Sequence, residues 1–319
     1  MLRQIADSIA WPGFQNGRLL LPLPNASLTP DATYLQWEGV RLTVKKEFHV
    51  TLLNQSLATR LRNALGEREI KRLFSKQNWS ISRTGDGALL RKDKITSRGS
   101  TSCASAIEHI TLPSLTRFRE SLAQATGLEV PGVPAHVTLF AGGDSRGIGL
   151  ADHHALQAAQ VAMLRLPGIA NRSAPPLQEQ QRAAYCAAEY AVDALETSVH
   201  IGARCQIIDA ELVRRGVDRA AVITAFNPFS ARADNVGNQL RQKWLGAVLH
   251  KERLEVIEAE GRDPDGKWAP EPSLLVFGTT TELEERLLRD FEQHAVVVVE
   301  REAPARLVLH PDQPSGRCT

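Results

Sequence analysis

Aromatic residues make up only 5% of the 319-residue chain. That scarcity excludes a long stacking groove for single-stranded nucleic acid. Excess charge is missing as well: 38 Lys and Arg face 36 Asp and Glu, a formal net charge of +2. Any anionic partner must therefore be held by a local site and not by bulk attraction. The four cysteines, Cys103, Cys186, Cys205 and Cys318, stand far apart and form no C-x-x-C. This argues against a thiolate zinc site or a disulfide scaffold and for a reducing compartment. Long apolar runs are absent too. The stretch Leu19 to Pro24 is short and broken by Pro22, so it reads as neither signal peptide nor membrane span. The expectation is a cytoplasmic protein without membrane contact.

What remains is an ordinary globular composition, 43% hydrophobic and 23% charged. The length predicts two domains at about 150 residues each. In the first part, Tyr34 to Val44 and Glu47 to Leu53 read as strands, and Ser56 to Ser75 as a helix broken around Gly66. Trp79 to Arg83 and Ser105 to Leu112 are further strands. Ser114 to Thr126 spaces its apolar residues as a helix and stops at Gly127. The strand Ala135 to Ala141 runs into a glycine-rich loop, Gly142 to Gly149, and Val161 to Leu166 reads as the last strand of this part.

Ser173 to Pro176 reads as a linker, and the Ala-rich stretch Leu177 to Val199 as a helix striped by Ala184, Ala188, Ala191 and Leu195. Strands are expected from Ala220, near Leu254 to Ala259, at Leu274 to Gly278, Ala295 to Glu300 and Arg306 to Leu309. Helices are expected over Asn235 to Leu249 and Glu282 to Gln293. The predicted organisation is α+β: residues 1–168, a linker and helical connector over 169–215, and a second mixed α/β domain over 216–319.

Nine histidines are present, and two share a context. Phe48-His49-Val50-Thr51-Leu52 stands beside Ala135-His136-Val137-Thr138-Leu139 as a second His-Val-Thr-Leu. In a strand, side chains alternate faces, so His49 and Thr51 share one side while Val50 and Leu52 anchor the other. The same holds for His136 and Thr138. Two such strands brought face to face put two imidazoles and two hydroxyls around one small volume. That suits phosphodiester chemistry. A neutral imidazole takes a proton, a protonated one delivers a proton to the leaving oxygen, and hydroxyls bind the non-bridging oxygens. Neither a metal nor a cofactor is required.

These two motifs and the Pro134 to Phe140 segment resemble the 2H phosphoesterases, which include the bacterial RNA ligase-like 2′,3′-cyclic phosphodiesterases. The resemblance covers roughly residues 1–168. It implies a bilobal fold with a pseudo-two-fold axis and metal-independent action on cyclic or 2′-linked phosphodiesters of RNA ends or nucleotides. By it His49 and His136 are the acid and base in either order, and Thr51 and Thr138 hold the phosphate.

Other features have blander readings. Ser145 and Arg146, in the loop after the second motif, are candidate substrate contacts on what also reads as a solvated turn. Lys45 and Lys46 add positive potential near the first motif. Tyr34 and Trp37 offer base stacking or core packing. His153 and His154 lack companions at ligand spacing. Gly261 to Lys267 mimics a phosphate loop, but Trp268 stands where Ser or Thr is needed, so a turn between strands is expected.

The chain after about residue 218 resembles an uncharacterised bacterial domain family without established activity. The resemblance rests on Ile223 to Pro228, Asn235, Asn238, Trp268 to Ser273 and Phe291 to Val296. Asn227, Asn235 and Glu271 are the candidate ligand contacts there, against capping and turn hydrogen bonding as the plainer role. Two alternatives to a phosphoesterase stand beside it. One is a nucleotide or RNA-end binding protein without turnover, and the other a nucleotide-modifying enzyme active in its C-terminal domain.

Overall fold

The computed structural model describes residues 3–6, 9–96, 99–143, 147–168 and 173–314. The chain divides into two compact units, residues 1–170 and 171–319. Both are mixtures of helices and antiparallel sheet.

In the first unit the elements run β1 (Arg3–Ala6), β2 (Phe14–Gln15), β3 (Arg18–Leu23), β4 (Tyr34–Trp37), β5 (Val40–Val44), β6 (Phe48–Leu53), α1 (Gln55–Leu65) and α2 (Glu67–Ser75). They continue with β7 (Ile81–Thr96), β8 (Gly99–Thr111), α3 (Pro113–Thr126), β9 (His136–Gly142), α4 (His153–Ala159) and β10 (Gln160–Arg165). The sheet has the order β1-β7-β8-β9-β6-β3-β2, with β10 added on β7 and the β4–β5 hairpin on β9. The stretch 34–44, expected as one strand, is thus a hairpin turning at Glu38, whose φ of 42° is left-handed. The Leu19 to Pro24 run is mostly β3. Pro22 is tolerated there because β3 pairs with β6 at that position while β2 reaches only Arg18 and Leu19, so its missing N–H faces a free edge.

Helices α1 to α3 form a layer around an aromatic cluster. Trp79 stacks on Phe74 at 4.5 Å, Phe118 meets both edge-on, and the Trp79 indole N–H donates to the Phe74 carbonyl at 3.0 Å. A buried ion pair lies within the sheet. Glu108 accepts from Arg83 at 2.6 Å, and the same guanidinium donates to the Ser27 carbonyl at 2.7 Å. Neither side chain is more than 5% exposed.

The second unit carries α5 (Glu179–Ala187), β11 (Glu189–Val192), β12 (Thr197–Val199), α6 (Gln206–Arg215), β13 (Arg219–Ile223) and α7 (Asn235–Lys251). After these come β14 (Glu255–Arg262), β15 (Glu271–Phe277), α8 (Thr281–Asp290), β16 (Ala295–Glu300) and β17 (Arg306–Leu309). Its sheet has the order β12-β11-β14-β15-β13-β16-β17. One face packs Val192, Val222, Leu275 and Val297 against Ile208 and Leu212 of α6. Ala221, Val276 and Val298, which alternate to the other face, are buried as well.

Two expectations are corrected here. The Leu177 to Val199 stretch is a nine-residue helix followed by two strands, not one long helix. Of the expected connector over 169–215, residues 169–172 lie outside the described residues, and the rest is part of the second unit, since β11 and β12 form one end of its sheet. Cys103 and Cys205 are free, and Cys186 is disulfide-bonded, which departs from the expected reducing compartment. Among the described residues no helix is long and apolar enough to cross a membrane.

Breaking the buried pair tests this account of the first unit. Glu108→Ala leaves the Arg83 charge buried and unpaired and should cost that unit about 3–5 kcal/mol in urea unfolding. An unchanged midpoint would contradict a structural role for the pair.

Candidate functional site

Alternation places the motif residues. In β6, Phe48, Val50 and Leu52 are buried while His49 and Thr51 are half-buried, and in β9 Val137 and Leu139 are buried while His136 and Thr138 are half-buried. The strands are antiparallel neighbours with Val50 opposite Val137. That register sets His49 opposite Thr138 and Thr51 opposite His136, all four on the face away from the paired valines. The strands therefore lie side by side in one sheet and do not face each other across a gap, because the backbone groups of Val50 and Val137 meet as ladder partners.

The sheet forks at this point. Beyond Thr138, β9 pairs with β5 through Val44–Phe140 and Thr43–Ala141, and the Lys45 N–H donates to the Leu139 carbonyl at 2.8 Å. Lys45 is thereby brought close to His49. Burial pushes the His49 imidazole below its ordinary value of 6.5, and the charges of Lys45 and Arg18 act in the same direction, opposed by Glu47. His136 is lowered first by burial and further by the charges of His109, His49 and Arg119, against a hydrogen bond to the Pro134 carbonyl. That bond, 2.9 Å from Nδ1, fixes the tautomer. A carbonyl only accepts, so Nδ1 carries the proton and Nε2 of the neutral ring is left as a base.

A third imidazole escaped the sequence reading. His109 on β8 is directly opposite His136, so it shares the motif face. Its pKa is lowered by burial, partly offset by Asp86, and its Nδ1 has no hydrogen-bond partner. The signal was available, because His109-Ile110-Thr111-Leu112 is a third His-apolar-Thr-Leu. Ser105 was also missed. Its hydroxyl is fully buried and unpartnered. Gly147, at φ +78°, returns the glycine-rich loop to this place: a Cβ there would stand 3.5 Å from Ser105 Oγ and 3.7 Å from Thr138 Oγ1. Ser145 and Arg146 lie outside the described residues.

Trp37 is a core residue, 4% exposed, while Tyr34 is exposed beneath the Arg41 guanidinium. Among the described residues no cluster of three His, Cys, Asp or Glu side chains is placed to hold a metal ion.

In the second unit, Asn227 and Glu271 line a cavity of about 620 Å3 together with Tyr185, Tyr190 and Trp268. Asn235 does not join them. It is exposed on the first turn of α7, where Asp234 is the cap, accepting from the Gly237 N–H at 2.7 Å. Asn238 instead holds Asn227: it accepts from the Asn227 backbone N–H and donates to its side-chain oxygen, both at 2.9 Å. The Gly261 to Lys267 segment ends β14 and turns toward β15, its N–H groups at Asp265 and Lys267 donating to the Asp263 carboxylate.

Residues 223–296 match the family described as Protein of unknown function (DUF3293). No curated protein and no solved structure matches the chain.

His49, His109 and His136 are all lowered, so between their folded values and 6.5 the unfolded chain binds more protons than the folded one. Their contribution to stability is fully present above 6.5 and is lost as pH falls through the folded values. Urea midpoints of the first unit should fall with pH across that window and flatten when all three are replaced by Asn. A wild-type midpoint that rises on acidification would contradict the burial account.

Proposed function

We propose that the first unit is a metal-independent phosphoesterase for 2′,3′-cyclic phosphates or 2′-linked phosphodiesters of RNA ends or nucleotides, of the kind the 2H phosphoesterases represent. The observation that carries this reading is the Val50–Val137 pairing, which gathers His49, Thr51, His136 and Thr138 on one half-open sheet face. For a cyclic phosphate, water attacks phosphorus as its proton passes to Nε2 of His136. The bond from phosphorus to the ribose 3′ oxygen breaks, and His49 gives that oxygen a proton, leaving a 2′-phosphate and a 3′-hydroxyl. Thr51 and Thr138 donate hydrogen bonds to the non-bridging oxygens, where charge resides in the transition state. Arg18 and Lys45, whose charges reach His49, supply local positive potential to a chain with almost no net charge.

The assignment of His136 as base is supported by its tautomer, since Nδ1 is committed to Pro134. His49, under the charge of Lys45, regains basicity when a phosphodiester anion binds beside it. His109 acts through His136 as a positioning residue. RNA-end substrates suit a cytoplasmic setting, and the Cys186 disulfide weighs on the other side.

With a 2′,3′-cyclic nucleotide and EDTA present, His49→Ala and His136→Ala should each lose about 10²–10⁴-fold in turnover while remaining folded. The wild-type kcat/KM profile should be bell-shaped and peak on the acid side of 6.5, because both imidazoles are lowered. His109→Asn removes a charge that holds His136 down, so the acid limb should move to higher pH. Full activity in both alanine variants, or loss of wild-type activity to EDTA, would overturn the proposal.

A further inference from the structure

The second unit holds a built cavity that the histidine chemistry does not use. It opens beneath α5, a helix with no fully buried residue, onto the sheet face that carries Tyr190, Gly261 and Glu271. These three are neighbours across β11, β14 and β15, with Gly261 paired to both others. A Cβ on Gly261 would lie 3.8 Å from the Trp268 ring and 3.9 Å from Tyr190, so the glycine keeps the floor open between two aromatic side chains.

One wall is a strained turn. Asn227, Phe229 and Ser230 all have left-handed φ, at 44°, 47° and 58°, without being glycine. Non-glycine residues adopt this conformation uncommonly, Asn more readily than most, and strained examples recur at ligand sites. Here Asn238 clamps Asn227 by its backbone and side chain, and the Ser230 hydroxyl meets the Tyr185 hydroxyl at 2.9 Å. The turn places the Asn227 side chain beside Glu271 at the cavity wall.

Glu271 is the half-buried acid of this cavity. Burial raises its pKa, only partly countered by the neighbouring Asn227 and Thr224 side chains, and among the described residues no cation is paired with it. A carboxylate offers lone pairs alone, so a complementary ligand must bring N–H donors. Flanking aromatic rings favour a planar group, and exposed Arg232 at the cavity lining favours an anionic tail. A volume of about 620 Å3 is large enough for a nucleotide. Among the bases, guanine presents adjacent N1–H and N2–H donors to two oxygens, whereas the amino groups of adenine and cytosine sit beside an acceptor nitrogen.

We propose that this cavity is a guanine-nucleotide site, with Glu271 accepting the paired N–H donors of the base, Trp268, Tyr185 and Tyr190 flanking its ring, and Arg232 meeting the phosphate. It is independent of the phosphoesterase proposed for the first unit.

Calorimetric titration of the full-length protein tests it with GMP, guanosine, AMP and free arginine as probes. GMP should bind at one site, and AMP at least about tenfold more weakly, the loss expected when hydrogen bonds to a charged group are not made. Glu271→Gln should weaken GMP by about tenfold or more. Arg232→Ala should weaken GMP but not guanosine. Gly261→Val, whose added Cβ meets nothing nearer than 3.8 Å, should abolish binding without lowering the urea midpoint, which keeps the test open if the Glu271 variant misfolds. His49→Ala should bind GMP as the wild type does, separating this site from the other unit. Absence of GMP binding to the wild type, undiminished binding in folded Glu271→Gln or Gly261→Val, or preference for arginine would overturn it.

Discussion

The first unit depends on one backbone pairing, Val50 opposite Val137. It joins β3 and β6 to the β7–β8–β9 part of the sheet, and without it the strand order would break at its centre. The pairing also decides which side chains share a face. Because side chains alternate, setting two valines against each other on the buried face sets each histidine beside the other motif's threonine on the open face. A one-residue slip of either strand would turn its histidine to the buried face and its valine to the open one. The hydrophobic pattern of each strand therefore fixes both the register of the sheet and the composition of the site.

Support for that face comes from below and from beside it. Glu108 is opposite Val137 and His109 opposite His136, so one strand carries both half of the buried ion pair and the third imidazole. The α4 helix and the segment from Gly147 onward cover the sheet near Ile107, which is opposite Thr138. The histidine face is thus closed along one side by apolar packing and open where β6 and β9 meet. Partial burial of this kind lowers all three imidazoles.

Strand alternation and helix end signals were legible in the sequence, and non-local pairing was not. Motif residues could be assigned to faces because a period of two is local, yet nothing local says that β9 neighbours β6 and β8 at once. His109 went unnoticed for that reason, although its own His-Ile-Thr-Leu was in plain view. The Ala-rich stretch misled in another way. Ala184, Ala188, Ala191 and Leu195 fit a helical stripe, but Glu189 to Val192 is a strand inside the sheet, buried from Tyr190 onward, and a short run buried on both sides carries no period that separates strand from helix. In the second unit Asn227 and Glu271 were legible as polar residues at strand ends. The left-handed turn that brings them together, and the clamp from Asn238, were not.

The central claim is that the paired His-x-Thr strands turn over a cyclic phosphate without a metal. Phosphorus NMR of an RNA oligonucleotide ending in a 2′,3′-cyclic phosphate, incubated with the protein and EDTA, tests it most directly. The account predicts that the cyclic resonance is replaced by that of a 2′-monophosphate, and that the His136→Ala protein leaves it in place. Persistence of the cyclic resonance with the wild-type protein, across pH values on both sides of the histidine range, would contradict it.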